Sequence, residues 1–193
     1  MAVNTGPAVK GKGKNSLERE LAGAIAAGKA PQFEVLSFGF HKQRRVDDGK
    51  VASCFRIEIS TLLDGQVVEI ADEQAVSQRV KNGAAFEGRL GSVDLMERAL
   101  RKALIKRWPE IEQHLGCVRI VGYSVFAVDY EHSHHVQVTF KVTCREGKEP
   151  HTVTREGVDT LGVTFDSLVT IYHWVAWRLL RRLRGERREN GQS

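Results

Sequence analysis

The chain has 193 residues, of which 41% are hydrophobic and 7% aromatic, and its formal net charge is +5. This length allows one ordinary domain or two small units that share a core, and the composition is typical of a folded globular protein. No apolar run approaches the roughly 20 residues that span a membrane, and the N-terminus lacks the apolar segment of a signal peptide. We therefore expect a cytoplasmic protein without a membrane partner.

The N-terminal segment, residues 1–31, has two parts. Residues 1–15 contain Gly, Pro, Lys and Ala without hydrophobic periodicity, which predicts a flexible tail. A short helix is expected from Ser16, which suits the N-cap position, to Ala27, and Gly28 would end it.

The first unit, residues 32–115, contains three strand patterns followed by one helix pattern. Residues 52–61 alternate between apolar and polar, which is typical of a strand with one buried face. The pair Asp64 and Gly65 predicts a tight hairpin turn before the next strand. The polar stretch 72–88 has no clear pattern and receives no assignment. The predicted elements are strands at 32–40, 52–61 and 67–71 and a helix at 92–108.

The second unit, residues 116–184, repeats the same order. Residues 135–144 alternate most regularly in the chain, and a long helix pattern with apolar residues three and four apart closes the unit. Residues 185–193 are expected to form a disordered basic tail. The predicted elements are strands at 117–130, 135–144 and 151–157 and a helix at 164–184.

Together these patterns predict an α+β protein. It would consist of two βββα units in a pseudo-two-fold arrangement, with antiparallel sheets and the helices on one face. Each unit is too small to bury much surface alone, so the two should pack together. Two helices leave an apolar sheet face uncovered, so we expect a homodimer.

Two glycine turns that lead into helices carry a family resemblance. The first is the segment 91–95 (GSVDL), followed by Ala-Leu pairs at 99–100 and 103–104, and the second is 162–168 (GVTFDSL). In order and spacing, over residues 32–184, the chain resembles the C-terminal regulatory domain of the 2-isopropylmalate synthase and citramalate synthase family. This LeuA allosteric or dimerisation domain has two βββα units, so the resemblance implies the same fold and a regulatory role in leucine biosynthesis.

The starts of the two helices are the predicted ligand site. Free backbone N–H groups at a helix N-terminus bind carboxylates, and acids in the first turns can receive an ammonium group, which suits a small zwitterion. The resemblance implies a branched-chain amino acid or a related small acid. The alternative is structural, because Ser and Thr are ordinary helix caps and first-turn acids complement the helix dipole. The predicted ligand-binding residues are Gly91, Ser92, Val93, Asp94, Gly162, Val163, Thr164 and Asp166.

The resemblance covers only the regulatory part of that family. Catalysis there belongs to a TIM barrel of some 250 residues or more, whereas this chain has about 30 residues before its first strand. We therefore expect no enzyme activity and no cofactor, and a role as a dimeric sensor or as a trans-acting subunit of a separate synthase. Arg89 and Leu90 stand where the family has glycine and asparagine, which favours the alternative of a ligand-free dimerisation or docking module.

Two further patterns have competing interpretations. His132, His134 and His135 could bind zinc, but strand alternation puts the last two on opposite faces, so we predict a solvated turn and no metal site. Trp174 and Trp177 precede several arginines, as in surfaces that bind RNA. Burial of the tryptophans is favoured, so nucleic acid is not the expected partner and a basic RNA-binding module stays an alternative.

Overall fold

The computed structural model describes residues 16–47, 50–79, 91–129, 135–144 and 150–190. One helix precedes two successive groups of three strands and a long helix. No helix in these ranges is long and apolar enough to cross a membrane. The elements are α1 (Ser16–Ala26), β1 (Phe33–Asp47), β2 (Lys50–Leu63), β3 (Gln66–Arg79), α2 (Gly91–Arg107), a 3₁₀ turn (Pro109–Ile111), α3 (Glu112–Leu115), β4 (Arg119–Asp129), β5 (His135–Thr143), β6 (His151–Gly157) and α4 (Thr160–Asn190).

The six strands form two antiparallel three-stranded sheets, ordered β1-β2-β3 and β4-β5-β6. The predicted hairpin turn between β2 and β3 is confirmed. Asp64 and Gly65 have φ angles of 46° and 76°, and a type I′ turn requires positive φ at both central positions. The α+β class and the two βββα-like units are therefore confirmed.

The strands of the first sheet are longer than the sequence predicts. β1 runs on to Asp47 and pairs there with Lys50 of β2, and β3 continues to Arg79 through polar residues that had no assignment. Antiparallel strands are joined by backbone hydrogen bonds, so a polar side-chain pattern does not end them. The remainder of the unassigned stretch, residues 80–88, lies outside the described residues.

One face of each sheet supplies the core. On β2 the buried side chains include Ile57 and Ile59, whereas Arg56 and Glu58, which alternate with them, are exposed. β5 repeats this alternation with Val138, Phe140 and Val142, which are buried. α2 packs against β2 and β3, and α4 packs against β5 and β6, so the helices cover the apolar faces as predicted.

The N-terminal helix packs against the second unit. α1 contacts α4 and β6 and buries Leu17, Leu21 and Ala24, which recur at spacings of four and three. Its predicted span of 16–27 differs from the observed one by a single residue, and Gly28 follows with φ of 61°. The expected flexible tail, residues 1–15, lies outside the described residues.

The last helix is longer than predicted at both ends. α4 begins at Thr160 and continues to Asn190, so residues 185–190 are helical although the sequence assigns them to a disordered tail. These residues are mainly Arg and Glu, which favour helix strongly, so the helix continues past its apolar stripe. Residues 191–193 lie outside the described residues.

Candidate functional site

The predicted ligand residues of the first unit lie at the start of α2. The helix begins at Gly91, Val93 is buried in the core, and Ser92 and Asp94 are half-buried. This confirms that a helix starts at this motif. It does not test whether a ligand binds there.

The second predicted helix start is displaced. Asp159 caps α4: its carboxylate accepts the backbone N–H groups of Leu161 and Gly162, each at 3.0 Å, and its carbonyl accepts that of Val163 at 2.9 Å. Two of the free N–H groups at this end are therefore satisfied by the protein's own carboxylate. Thr164 is not at the N-terminus of α4, so the prediction that this helix begins at Thr164 is wrong.

Thr164 and Gly162 both have contacts that support the fold of α4. The Thr164 side chain is buried, and its Oγ1 lies 3.2 Å from the hydroxyl of Tyr123 on β4. A Cβ at Gly162 would lie 2.7 Å from the Asp159 carboxylate, so the position accepts only glycine without a shift of the cap. The glycine in this motif therefore makes room for the cap.

α2 lies along the first sheet and points toward the β2–β3 hairpin turn. Arg98, halfway along the helix, donates to Asp72 in the middle of β3 at 2.6 Å. Arg107, at its end, donates to the carbonyl of Leu63 beside the turn, at 3.0 Å. These two contacts fix the direction of the helix on the sheet.

α4 runs in the same direction past β1. Phe165 stacks on Phe38 with ring centroids 3.9 Å apart, and His173 contacts Phe33 at 5.3 Å. Because Phe33 is paired with Leu63, the later contact is the one nearer the hairpin turn. Both helix starts therefore lie toward the same end of the first sheet.

A cleft of about 660 Å³ lies between α1, β6 and α4. Two members of the predicted ligand set, Val163 and Asp166, line it, whereas Thr164 faces Tyr123. The volume falls within the range of small-ligand sites. The other lining residues are Glu18, Leu21, Ala22, Ile25, Thr154, Arg155, Glu156, Val169, Thr170 and His173.

The guanidinium of Arg155 has an unused donor in this cleft. Its Nη2 donates to Thr170 Oγ1 at 2.7 Å, while its Nε lies 3.6 Å from Glu18 Oε1, close enough for an ion pair but beyond hydrogen-bond distance. Nε is buried and has no hydrogen-bond acceptor in the described part of the chain. Although Nε itself is enclosed, 41% of the Arg155 side-chain surface is exposed, so the side chain is accessible to a ligand.

The remaining walls of the cleft differ in character. Leu21 and Ile25 of α1 face Val163 and Val169 of α4 across it, and the Ile25 side chain is half exposed. The exposed carboxylate of Asp166 lies on the same helix. The cleft thus combines one arginine, three acidic side chains (Glu18, Glu156 and Asp166) and apolar surface.

His173 lies at the edge of the cleft and connects α4 to the segment before β1. Its Nε2 lies 2.9 Å from the carbonyl of Pro31, so Nε2 carries a proton and donates it. Burial lowers the pKa of His173, and the hydrogen bond to Pro31 and the charge of Asp64 oppose part of that shift. The imidazole is consequently neutral at pH 7.

A polar network joins the two units between α2 and α4. The Tyr172 hydroxyl donates to Glu97 Oε1 at 2.6 Å and accepts from Arg101 Nε at 2.8 Å. Arg101 also donates to the carbonyls of Leu115 and Val118, both at 2.8 Å. Burial and the Glu97 carboxylate raise the pKa of Tyr172, so its hydroxyl stays protonated.

This network resembles a catalytic cluster in its residue types only. Burial alone would lower the pKa of Arg101, but Tyr172 and Glu97 raise it, so the guanidinium remains charged. Since Arg101 has protein acceptors for its donors, the arrangement stabilises the inter-unit packing. This network could not be predicted from the sequence. Tyr172 belongs to the apolar stripe of its helix, and Glu97 and Arg101 form an ordinary i,i+4 pair.

No group of metal-binding side chains occurs among the described residues. His135 begins β5, while His132 and His134 lie outside the described ranges.

No model of a known protein family matches this sequence, and no curated protein matches it. The likeness to the LeuA regulatory domain therefore stays a prediction from the sequence.

Proposed function

We propose that this chain is a non-catalytic, cytoplasmic regulatory domain that binds a branched-chain amino acid or a related small acid. The proposal continues the resemblance to the LeuA domain, with a dimeric sensor or a trans-acting subunit of a separate synthase as the form of action. The observation that carries it is the cleft beneath α1, where a partly exposed arginine, acidic side chains and apolar side chains meet.

Each part of a zwitterionic amino acid has a counterpart in this cleft. The ligand carboxylate would accept from Arg155, which is the side chain suited to planar carboxylates. The ammonium group would pair with Asp166, and a branched apolar side chain would contact Leu21, Ile25 and Val163. No helix N-terminus is needed for the carboxylate, which removes the difficulty created by the Asp159 cap.

A thermal-shift screen against the amino acids and small 2-oxo and 2-hydroxy acids at about 1 mM tests the proposal. A ligand with a Kd near 10 μM adds about 2.7 kcal/mol to the unfolding free energy at that concentration. In a chain of this size the expected rise in melting temperature is about 5–10 °C. The rise should be selective for leucine, isoleucine or a close relative.

Variants locate the ligand. Arg155→Gln and Asp166→Asn should abolish the response, whereas Glu34→Gln, an exposed acid on the outer face of the first sheet, should retain it. If Asp94→Asn abolished the ligand-induced rise in melting temperature and Arg155→Gln retained it, the ligand would lie at the start of α2 instead. No shift with any compound would overturn the amino-acid proposal.

A ligand-free dimerisation module is the second candidate, and exposed apolar residues on β4 favour it. Val121, Val125 and Phe126 are 55%, 39% and 59% exposed along one edge strand. Such a strand offers unpaired backbone groups and apolar side chains to a second copy. A dimer in sedimentation analysis that Phe126→Ser converts to monomer, without any ligand response, would support this candidate.

A further inference from the structure

A second groove, of about 570 Å³, lies where the end of α1 meets α4. It is separate from the cleft described above and shares no lining residue with it. Its floor includes Trp177 and Leu180, both buried, and its rim carries Lys29, Arg181 and Arg184. None of the described residues that line it is acidic.

The three cations of this groove have no acidic partner among the side chains that the structure describes. A neighbouring arginine, Arg178, lies 3.6 Å from Glu20 in an ion pair. For Lys29, Arg181 and Arg184, no carboxylate whose side chain the structure describes forms such a pair. Three like charges around one concave surface repel one another unless an anion joins them.

The groove is held in shape by its surroundings. The Arg181 guanidinium lies 5.9 Å from the ring centroid of Trp177, which restricts the arginine side chain. The end of α1 is closed by a Schellman motif, in which Gly28 and Lys29 donate to Ile25 and Ala24 at 2.9 and 2.8 Å. The cation at position 29 is therefore carried by fixed backbone.

We infer that this groove binds the phosphate group of a small phosphorylated ligand. Two guanidinium groups and an ammonium group suit a dianion with several acceptor oxygens better than a single carboxylate. The volume is that of a small-molecule site. A single-stranded nucleic acid would need exposed aromatic side chains for base stacking, but Trp177 is only 5% exposed.

Calorimetric titration of the whole chain with sodium pyrophosphate, at constant ionic strength, tests the inference. Binding should be saturable and at least about tenfold tighter than that of sodium sulfate, because the groove presents three cations to the larger polyanion. Arg181→Gln and Arg184→Gln should each weaken it by about tenfold. Lys141→Gln, an exposed lysine on β5, should leave it unchanged.

Competing outcomes are distinct. Equal affinity for pyrophosphate and sulfate would overturn the inference in favour of general attraction to a basic surface. A loss of pyrophosphate affinity in Lys141→Gln as large as in the two arginine variants would do the same. Binding of a short oligouridylate that pyrophosphate does not displace would indicate a nucleic-acid surface and would also overturn it. Since Arg155 and Asp166 lie outside this groove, their variants should bind pyrophosphate normally, which separates this test from that of the amino-acid proposal.

Discussion

At the residue scale, His173 links stability to pH. Its imidazole donates to Pro31 and contacts Phe33, so it fastens α4 to the chain entering the first sheet. Burial lowers its pKa below the ordinary value of 6.5, so the folded protein binds this proton less readily than the unfolded chain does. The contribution of His173 to the free energy of unfolding is fully present above about pH 6.5 and decreases as the pH falls below that value.

The expected slope is at most about 1.4 kcal/mol per pH unit, since one proton is involved. His173→Gln can still donate to Pro31 but cannot titrate, so its urea stability should vary less between pH 7.5 and 5.5. His41→Gln, on the exposed part of β1, serves as the control and should keep the slope of the parent protein. Identical slopes in His173→Gln and the parent protein would contradict this assignment.

At the element scale, the start of α4 depends on one side chain. Asp159 satisfies two N–H groups that would otherwise have no partner in the protein. Asp159→Ala should lower the unfolding free energy by about 1 kcal/mol, or about 2–4 °C in melting temperature. Asp159→Asn should retain most of the stability, and Asp166→Ala, an exposed acid further along the helix, should change it little. An Asp159→Ala protein as stable as the parent would show that the cap contributes nothing.

The same helix shows how far the sequence predicts the elements. The alternation in β2 and β5 predicted these strands correctly, because burial of one face requires an apolar residue at every second position. The Asp64-Gly65 pair predicted the hairpin correctly, because its turn requires residues that accept a positive φ. The start of α4 was misplaced, since Gly162 and the β-branched Val163 and Thr164 disfavour helix locally. The Asp159 cap and the burial of these side chains against the sheet outweigh that preference.

The candidate site was predictable only in part. Val163 and Asp166 belonged to the predicted set and do line the cleft, but Arg155 was not foreseen as a ligand residue. The cleft exists because α1 packs on α4, through contacts such as Trp174 Nε1 with Glu20 at 3.0 Å. Those residues are 154 positions apart, and no local pattern reveals such a pairing.

At the scale of the whole molecule, the two units share one core. Phe38 of the first sheet stacks on Phe165 of the last helix, and Tyr172 bonds to Glu97 and Arg101 across the same boundary. The buried residues of both units form a single cluster. Neither unit therefore has a complete apolar core of its own, and the two should unfold together.

Urea unfolding followed by two signals checks this cooperativity. In Trp108→Phe the remaining tryptophans, Trp174 and Trp177, both lie in α4, so fluorescence reports the second unit while circular dichroism reports both sheets. The two transitions should coincide. Tyr172→Phe removes the hydroxyl between Glu97 and Arg101, so it should lower stability by about 1–3 kcal/mol and move both signals equally. A fluorescence midpoint that moves alone would mean that α4 and its sheet unfold as an independent unit, and the shared core would not be what holds the molecule together.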